Sequence, residues 1–468
     1  MKLRATVTSV RALVPRTGFG KVGQGATVMG ARLAGAALGF AGQAMSARML
    51  GPDEFGRYGV MLVWLLLLGH AASAGTSQLV YRHLPVYRAA GSGDLALGLL
   101  RMAGAMVAIT SLVLAGGGLL ALHLALAGID GRYVALGTLA LGAVPLLATQ
   151  DLLEAIARGL DRPVLGIAPA FLLRHLALLL GLAALSLFGG STDEITVLCL
   201  TIGGLVASLL IQAWLILPHV LPLLRRARPL YRPTQWLRTA LPIAWVEAAE
   251  VLFQNMDMIV LAIFVPAEEA ALYFAATRLV QILGYVPYAS SAVTAQTYAV
   301  LGEARDGAGL QKLVGRTSLA ATVLVGLGAT CLSLAGHHLL GLFGTEFTAA
   351  SGHLPVLCAG LFLASALGPG EDVLTMLGQE RACARIYMTA LAAGLLAHLV
   401  LIPAYGATGA AAAMAIGLCL RGALMASVAY RRLGLILPAG LGWLAARPGN
   451  GAAKLDMPVP ASTSGERP

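Results

Sequence analysis

LPIAWVEAAEVLFQNMDMIVLAIFV, residues 241–265, decides how the chain is read. It is apolar and long enough to cross a bilayer, which takes about 20 residues. It nonetheless carries Glu247, Glu250, Gln254 and Asp257. Their spacing of three, four and three places them in one stripe on a helix. A carboxylate at the bilayer centre costs roughly 3 kcal/mol or more unless it faces protein or water. Three carboxylates in one stripe therefore imply a polar interior beside this helix.

The rest of the chain supports a membrane environment. Of 468 residues, 58% are hydrophobic and 12% charged, with a mean hydropathy of +0.80. Soluble domains carry about 25% charged residues, so the composition is that of a polytopic membrane protein. About twelve spans are predicted, at residues 27–49, 58–81, 102–126, 133–156, 164–187, 195–217, 239–265, 271–301, 317–342, 354–377, 386–402 and 408–430. The fold class is all-α. An apolar repeat at 433–446 is too short to span and is expected at the membrane surface. The Pro, Ala, Ser and Gly beyond it read as disordered.

Basic residues set the orientation. Of the 32 Lys and Arg, Arg48, Arg57 and Arg132 fall at the outer ends, and Arg32, Arg174, Arg278 and Arg421 fall within spans. All the others fall in segments that are cytoplasmic if the N-terminus is inside. Both termini are thus expected in the cytoplasm. The net charge of +10 is explained by this bias and by anionic membrane lipids, without nucleic acid. The polar leader and long first apolar run do not read as a cleavable signal peptide.

The longest basic connection lies at the midpoint, LLRRARPLYRPTQWLRTALP, residues 223–242. It divides the chain into an arm at 1–26, a six-span lobe at 27–222, a linker at 223–238, a second six-span lobe at 239–430 and a tail at 431–468. LGPDEFGRYG after span one and VPAEEAALYF after span seven both place Pro, acids and then Tyr before an apolar run. Their matching positions suggest an internal repeat, as many transporters have. Breaks or hinges are expected at Gly51 and Pro52, at Pro287, and at Gly368, Pro369 and Gly370.

No P-loop, CxxC or HExxH is present, and the five Cys have neither metal nor disulfide spacing. No enzyme centre, metal or cofactor is expected. What remains is buried charge of both signs. Either the charges pair and hold the bundle together, or they work. In the working reading Arg174, Arg278, Arg421 and, nearer the inside, Arg32 form an anion site with His70. Arg suits phosphate because its planar fork binds two oxygens. Glu247, Glu250 and Asp257 would then carry an ion or proton. Asp151 and Glu154, near the inside end of span four, read as partners of Arg158 and Arg162 at the headgroups. Glu371 and Asp372 read as caps of a restarted half-helix.

At ARMLGPDEFGRYGVMLVWLLLL (47–68), ALYFAATRLV (271–280) and IPAYGATGAAAAM (402–414), the chain resembles the multidrug/oligosaccharidyl-lipid/polysaccharide (MOP) exporter superfamily. Within it, the chain is similar to the polysaccharide transporters or O-antigen (Wzx-type) flippases. Ala271 departs from the Gly often found before Leu-Tyr. The resemblance covers residues 27–430. It implies two six-helix lobes in a V, alternating access, and a bacterial inner-membrane location. It also implies flipping of an undecaprenyl-pyrophosphate-linked oligosaccharide, driven by an ion gradient, alongside polysaccharide polymerase or assembly partners. It fixes no binding residue by motif. Rival readings are a drug or metabolite cation antiporter of the same superfamily, a membrane-embedded polysaccharide polymerase or ligase, and a structural membrane protein. The antiporter fits four intramembrane Arg poorly, and the polymerase usually needs a large outer loop. A lipid II flippase normally has two more spans.

Overall fold

The computed structural model describes residues 18–124, 130–190, 192–225 and 227–445. The first seventeen residues of the expected arm and the tail beyond 445 lie outside the described residues. Described residues form helices α1 (Gly18–Ser73), α2 (Thr76–Ala89), α3 (Gly93–Leu124), α4 (Gly131–Gly159), α5 (Pro163–Phe188) and α6 (Glu194–Leu224) in the first half. The second half holds α7 (Pro233–Phe264), α8 (Ala267–Glu303), α9 (Gly307–Leu340), α10 (His353–Ala366), α11 (Gly370–Met376), α12 (Glu380–Leu433) and α13 (Ala439–Ala445).

Among the described residues, eight segments are long and apolar enough to span a membrane. Two of these, Thr27–Ser73 and Glu380–Leu433, are each a pair of spans joined at a non-helical glycine. The joints are Gly51 (φ 74°, ψ 173°) and Gly406 (φ 55°, ψ −135°). Side chains with a Cβ rarely adopt positive φ, so each joint needs glycine. Helices α7 and α8, 32 and 37 residues long, interrupt their apolar stretches with charged and polar side chains and complete a bundle of about twelve spans. Helices α1 to α6 pack as one lobe and α7 to α13 as the other.

The lobes meet along α1 and α8 and along α1 and α7. At the Pro52 end the contact is intimate. A Cβ on Gly56 would lie 1.9 Å from the carbonyl oxygen of Ala267, so only glycine lets these backbones approach. Phe55 packs at an angle against Phe274 and edge-on against Phe347, 5.7 Å between centroids in each pair, and Phe343 closes the group. Arg48 donates to the Gly341 carbonyl at 3.1 Å.

The two stretches that read as a repeat thus lie side by side, each opening a helix at this end. Each also reaches the last span of its own lobe. Arg57 donates to Glu194 of α6 at 3.1 Å, and Glu269 accepts the Ala407 N–H, just past the Gly406 joint, at 2.7 Å.

The opposite end carries the linker. It is tied to the first lobe by Asp94, which accepts the N–H of Arg228 at 2.6 Å and, through its carbonyl, that of Leu230 at 3.0 Å. The fully buried Trp236 donates to the Tyr87 hydroxyl at 3.0 Å.

The segment after α12 folds back onto protein. Gln311 of α9 donates to the carbonyls of Ile436 and Gly442 and accepts the Ile436 N–H. Leu437, fully buried, lies against Gly368 at the break between α10 and α11, where a Cβ would come within 2.5 Å of the Leu437 carbonyl oxygen. Pro287, by contrast, sits in an unbroken α8.

Candidate functional site

Helix α5 opens with Pro163 and passes through a π-helical turn, Pro169–Leu173, directly before Arg174. Such wide turns recur where a helix must re-aim side chains at a site. Helix α1 reaches this turn through its small residues. A Cβ on Gly35 would lie 2.7 Å from the Phe171 carbonyl oxygen, and one on Gly39 would lie 3.0 Å from the His175 ring. The Gly35–Gly39 step is therefore the seat of α5, and it holds Arg174 and His175 at a cavity edge.

That cavity, of about 290 Å³, lies between α1, α4 and α5 of the first lobe and α8 of the second. Its polar lining includes His70, Asp151, Glu154, Arg174, Arg278 and Gln281. Arg278 comes from the ALYFAATRLV stretch. It sits 4.3 Å above the Phe274 ring and donates to Gln281 at 3.0 Å, while its Nε is buried without a partner. Among the described residues, neither Arg174 nor Arg278 has a carboxylate within ion-pair distance. Two guanidiniums thus face one space, one from each lobe, with their charge uncompensated by direct partners.

A second cavity of about 440 Å³ opens beside the first toward the linker end. It is lined by Arg32, Arg158, Glu247, Glu250 and Gln254, and it shares His70, Asp151 and Glu154 with the first. The shared side chains form the neck between the two spaces. Asp151 bonds His70 Nδ1 at 2.8 Å and accepts from the Ser73 hydroxyl at 2.8 Å. Glu154 pairs with Arg32 at 3.5 Å and lies 3.9 Å from Arg158. Both acids therefore belong to the interior; only the Arg158 contact matches the headgroup pairing read from sequence. The signal for them was present as acids one helical turn apart on a polar face, but sequence does not say which face turns inward. His175, next to Arg174, also lines the first cavity.

The remaining predicted residues separate. Arg32 stacks 4.9 Å from Phe171 and 5.2 Å from Tyr288, bridging the lobes at the vestibule. Arg421 lies in the second lobe and lines neither cavity. It donates to the Tyr387 hydroxyl at 3.1 Å, which in turn donates to Glu371 at 2.6 Å, and it stacks 5.3 Å from Phe253.

The acid stripe divides along its length. Glu247 and Glu250 face the vestibule, and Glu247 accepts the Gly75 N–H of the other lobe at 2.6 Å. Asp257 is buried and accepts from the Tyr273 hydroxyl at 2.7 Å and from the Met258 N–H at 2.8 Å. The stripe runs beneath α8 before it reaches the cavity. Glu371 and Asp372 do sit in the first turn of α11, but their bonds are to side chains, Tyr387 and Ser291. Among the described residues no three His, Cys, Asp or Glu side chains gather as a metal site.

Two helical lobes meet at one end around a polar cavity, an arrangement shared with solved membrane-transporter structures. The fold is similar to an inward-facing multidrug resistance MATE family transporter of the MOP superfamily, with a TM-score of 0.67 and 14% identity over 88% of this chain and 94% of that one. It is also similar to the lipid II flippase MurJ in an inward closed conformation, with a TM-score of 0.65 and 12% identity over 84% of each chain. A MOP superfamily transporter from Pyrococcus furiosus, described as having a binding pocket of reverse polarity, matches at 0.57 with 15% identity over 90% of this chain and 94% of that one. A comparison with curated proteins gives no match. The model of the family described as polysaccharide biosynthesis protein matches residues 22–295. That is more than half of the chain, and the chain belongs to this family.

Proposed function

We propose that the chain is a flippase that moves a lipid-linked oligosaccharide, joined through a diphosphate, across the bacterial inner membrane by alternating access. The observation that carries this reading is the pair Arg174 and Arg278, one from each lobe, facing one cavity without carboxylate partners. A diphosphate bridging them would draw the lobes together around the headgroup. Arg32 would receive the anion at the vestibule, while Arg421 braces the second lobe. The basic linker end is cytoplasmic by the positive-inside rule, so the Phe55–Phe274 seal faces the periplasm and the vestibule opens inward. Glu247 and Glu250 face that vestibule, where they would exchange an ion or proton with the cytoplasm. Asp257 would act through Tyr273 at the start of α8. The product feeds cell-surface polysaccharide assembly, where a polymerase would take it up. The protein itself carries out no bond chemistry.

The test is export of lipid-linked glycan in cells, with protein levels matched, for Arg174→Lys and Arg278→Gln. Both should lose most export, because Lys lacks the two-pronged fork and Gln lacks charge. Normal export by both variants refutes the anion site. The cation-exporter reading predicts the opposite: export of cationic drugs that survives both changes and fails with Glu250→Gln.

A further inference from the structure

The neck between the two cavities holds a pair that the reading above does not use. Asp151 Oδ2 takes two hydrogen bonds, from Ser73 Oγ and at His70 Nδ1, each 2.8 Å. A carboxylate flanked in this way fixes the imidazole tautomer: Nδ1 carries the proton and donates. The other ring nitrogen, Nε2, has no hydrogen-bond partner among the described residues. The ring is not sealed in. Its side chain is 42% exposed and that of Asp151 is 22% exposed, and both line both cavities.

In the neutral ring, Nε2 presents a lone pair and repels a phosphate oxygen. After proton uptake the same atom becomes an N–H donor. The pair's net charge changes from minus one to zero, in the cavity that holds Arg174 and Arg278. We propose that His70, held by Asp151 and Ser73, is a proton-switched third donor of the anion site, so that binding a diphosphate takes up a proton from the linker-side vestibule. The inference rests on the anion-site reading above. Groups facing the pair come from every neighbouring element. They are Arg32 of α1, Tyr81 of α2, Glu154 and Arg158 of α4, Arg174 and His175 of α5, Glu247 and Glu250 of α7, and Arg278 and Tyr285 of α8. Among the acids, Glu154 is engaged by Arg32 and Glu247 by the Gly75 N–H. Among the described residues, the pair centred on Asp151 is the one that joins a carboxylate to a titratable ring at the arginine cavity.

The linkage is symmetric: a proton that strengthens anion binding is itself held more tightly when the anion is bound. The experiment is calorimetric binding of a short-chain prenyl-diphosphate-sugar to the purified full chain between pH 6 and pH 8. The probe is a diphosphate diester whose charge is constant over that range. Binding should weaken severalfold from pH 6 to pH 8, about tenfold being the ceiling that one pKa unit of coupling sets. Titrations in buffers of different ionisation enthalpy should show uptake of up to one proton. His70→Gln should flatten the profile near the alkaline value, and Asp151→Asn should move its inflection to lower pH. Wild-type binding that is lost in Arg174→Ala but does not vary with pH overturns this inference alone, as does an unchanged pH profile in His70→Gln. No wild-type binding at any pH overturns the anion site and this inference with it.

Discussion

Replacing Gly56 by Ala perturbs the seal at the Pro52 end at its tightest point. The new Cβ would lie 1.9 Å from the Ala267 carbonyl oxygen and 2.6 Å from its carbon. Real Cβ contacts essentially never fall under 3.0 Å, so the backbones must separate by more than about 1 Å. Both obstructing atoms are main-chain, so no rotamer change relieves the clash. Overpacking of this kind costs about 1–3 kcal/mol. If the open state lacks this contact, that cost falls on the closed state alone and shifts the equilibrium toward opening by about 5–150-fold. Spin labels near the Gly51 joint of α1 and in the first turn of α8, read by pulsed electron resonance in nanodiscs, would report the separation. The distribution should shift toward longer distances in Gly56→Ala. Gly104→Ala, which meets nothing within 4 Å, should match the parent. An unchanged distribution and thermal midpoint in Gly56→Ala would show that this contact does not hold the lobes closed.

Two further outcomes follow from the placement of single side chains. Arg421→Ala should lower the thermal midpoint, because Tyr387 and Glu371 lose their cation, yet leave diphosphate affinity within about twofold; a large affinity loss would bring Arg421 into the site. Asp193, in the connection before α6, caps that helix by accepting the Thr196 N–H at 2.8 Å, so Asp193→Ala should cost about 1 kcal/mol. The Thr196 hydrogen bonds hold the Asp193 carboxyl below its ordinary value of 3.8. Its contribution is therefore present above that value and lost as pH falls through the folded pKa. The gap in thermal midpoint between variant and parent should close in acid and stay constant from pH 6 to 8.

How far the sequence carried depended on whether a signal was local. The polar interior was legible because carboxylates in an apolar stretch have no cheap alternative. The joints at Gly51 and Gly368 were legible because Gly-Pro punctuates a helix whatever surrounds it. Depth within an apolar span is the one sequence signal that marks Arg174 and Arg278, and both line one cavity. Asp151 reads in sequence as a headgroup residue because its partner His70 is 81 residues away, and no periodicity within α4 reveals that neighbour. Arg421 and Asp257 read in sequence as cavity residues for the converse reason. A helix stripe gives direction, but it does not give the point at which another helix crosses over it. Here Tyr273 of α8 covers Asp257 and the ring of Tyr387 underlies Arg421.

The clasp of Gln311 on residues 436 and 442 bears on how the second lobe can move. The gap between α10 and α11 has the dihedral freedom of a joint, yet a later part of the chain lies across it as a splint, with Leu437 against Gly368. Bending there would mean lifting the splint and exposing three backbone or amide hydrogen bonds at once. The broken span is therefore a stiff member. Gly51, by contrast, lies under no such splint, and a Cβ there would meet open space.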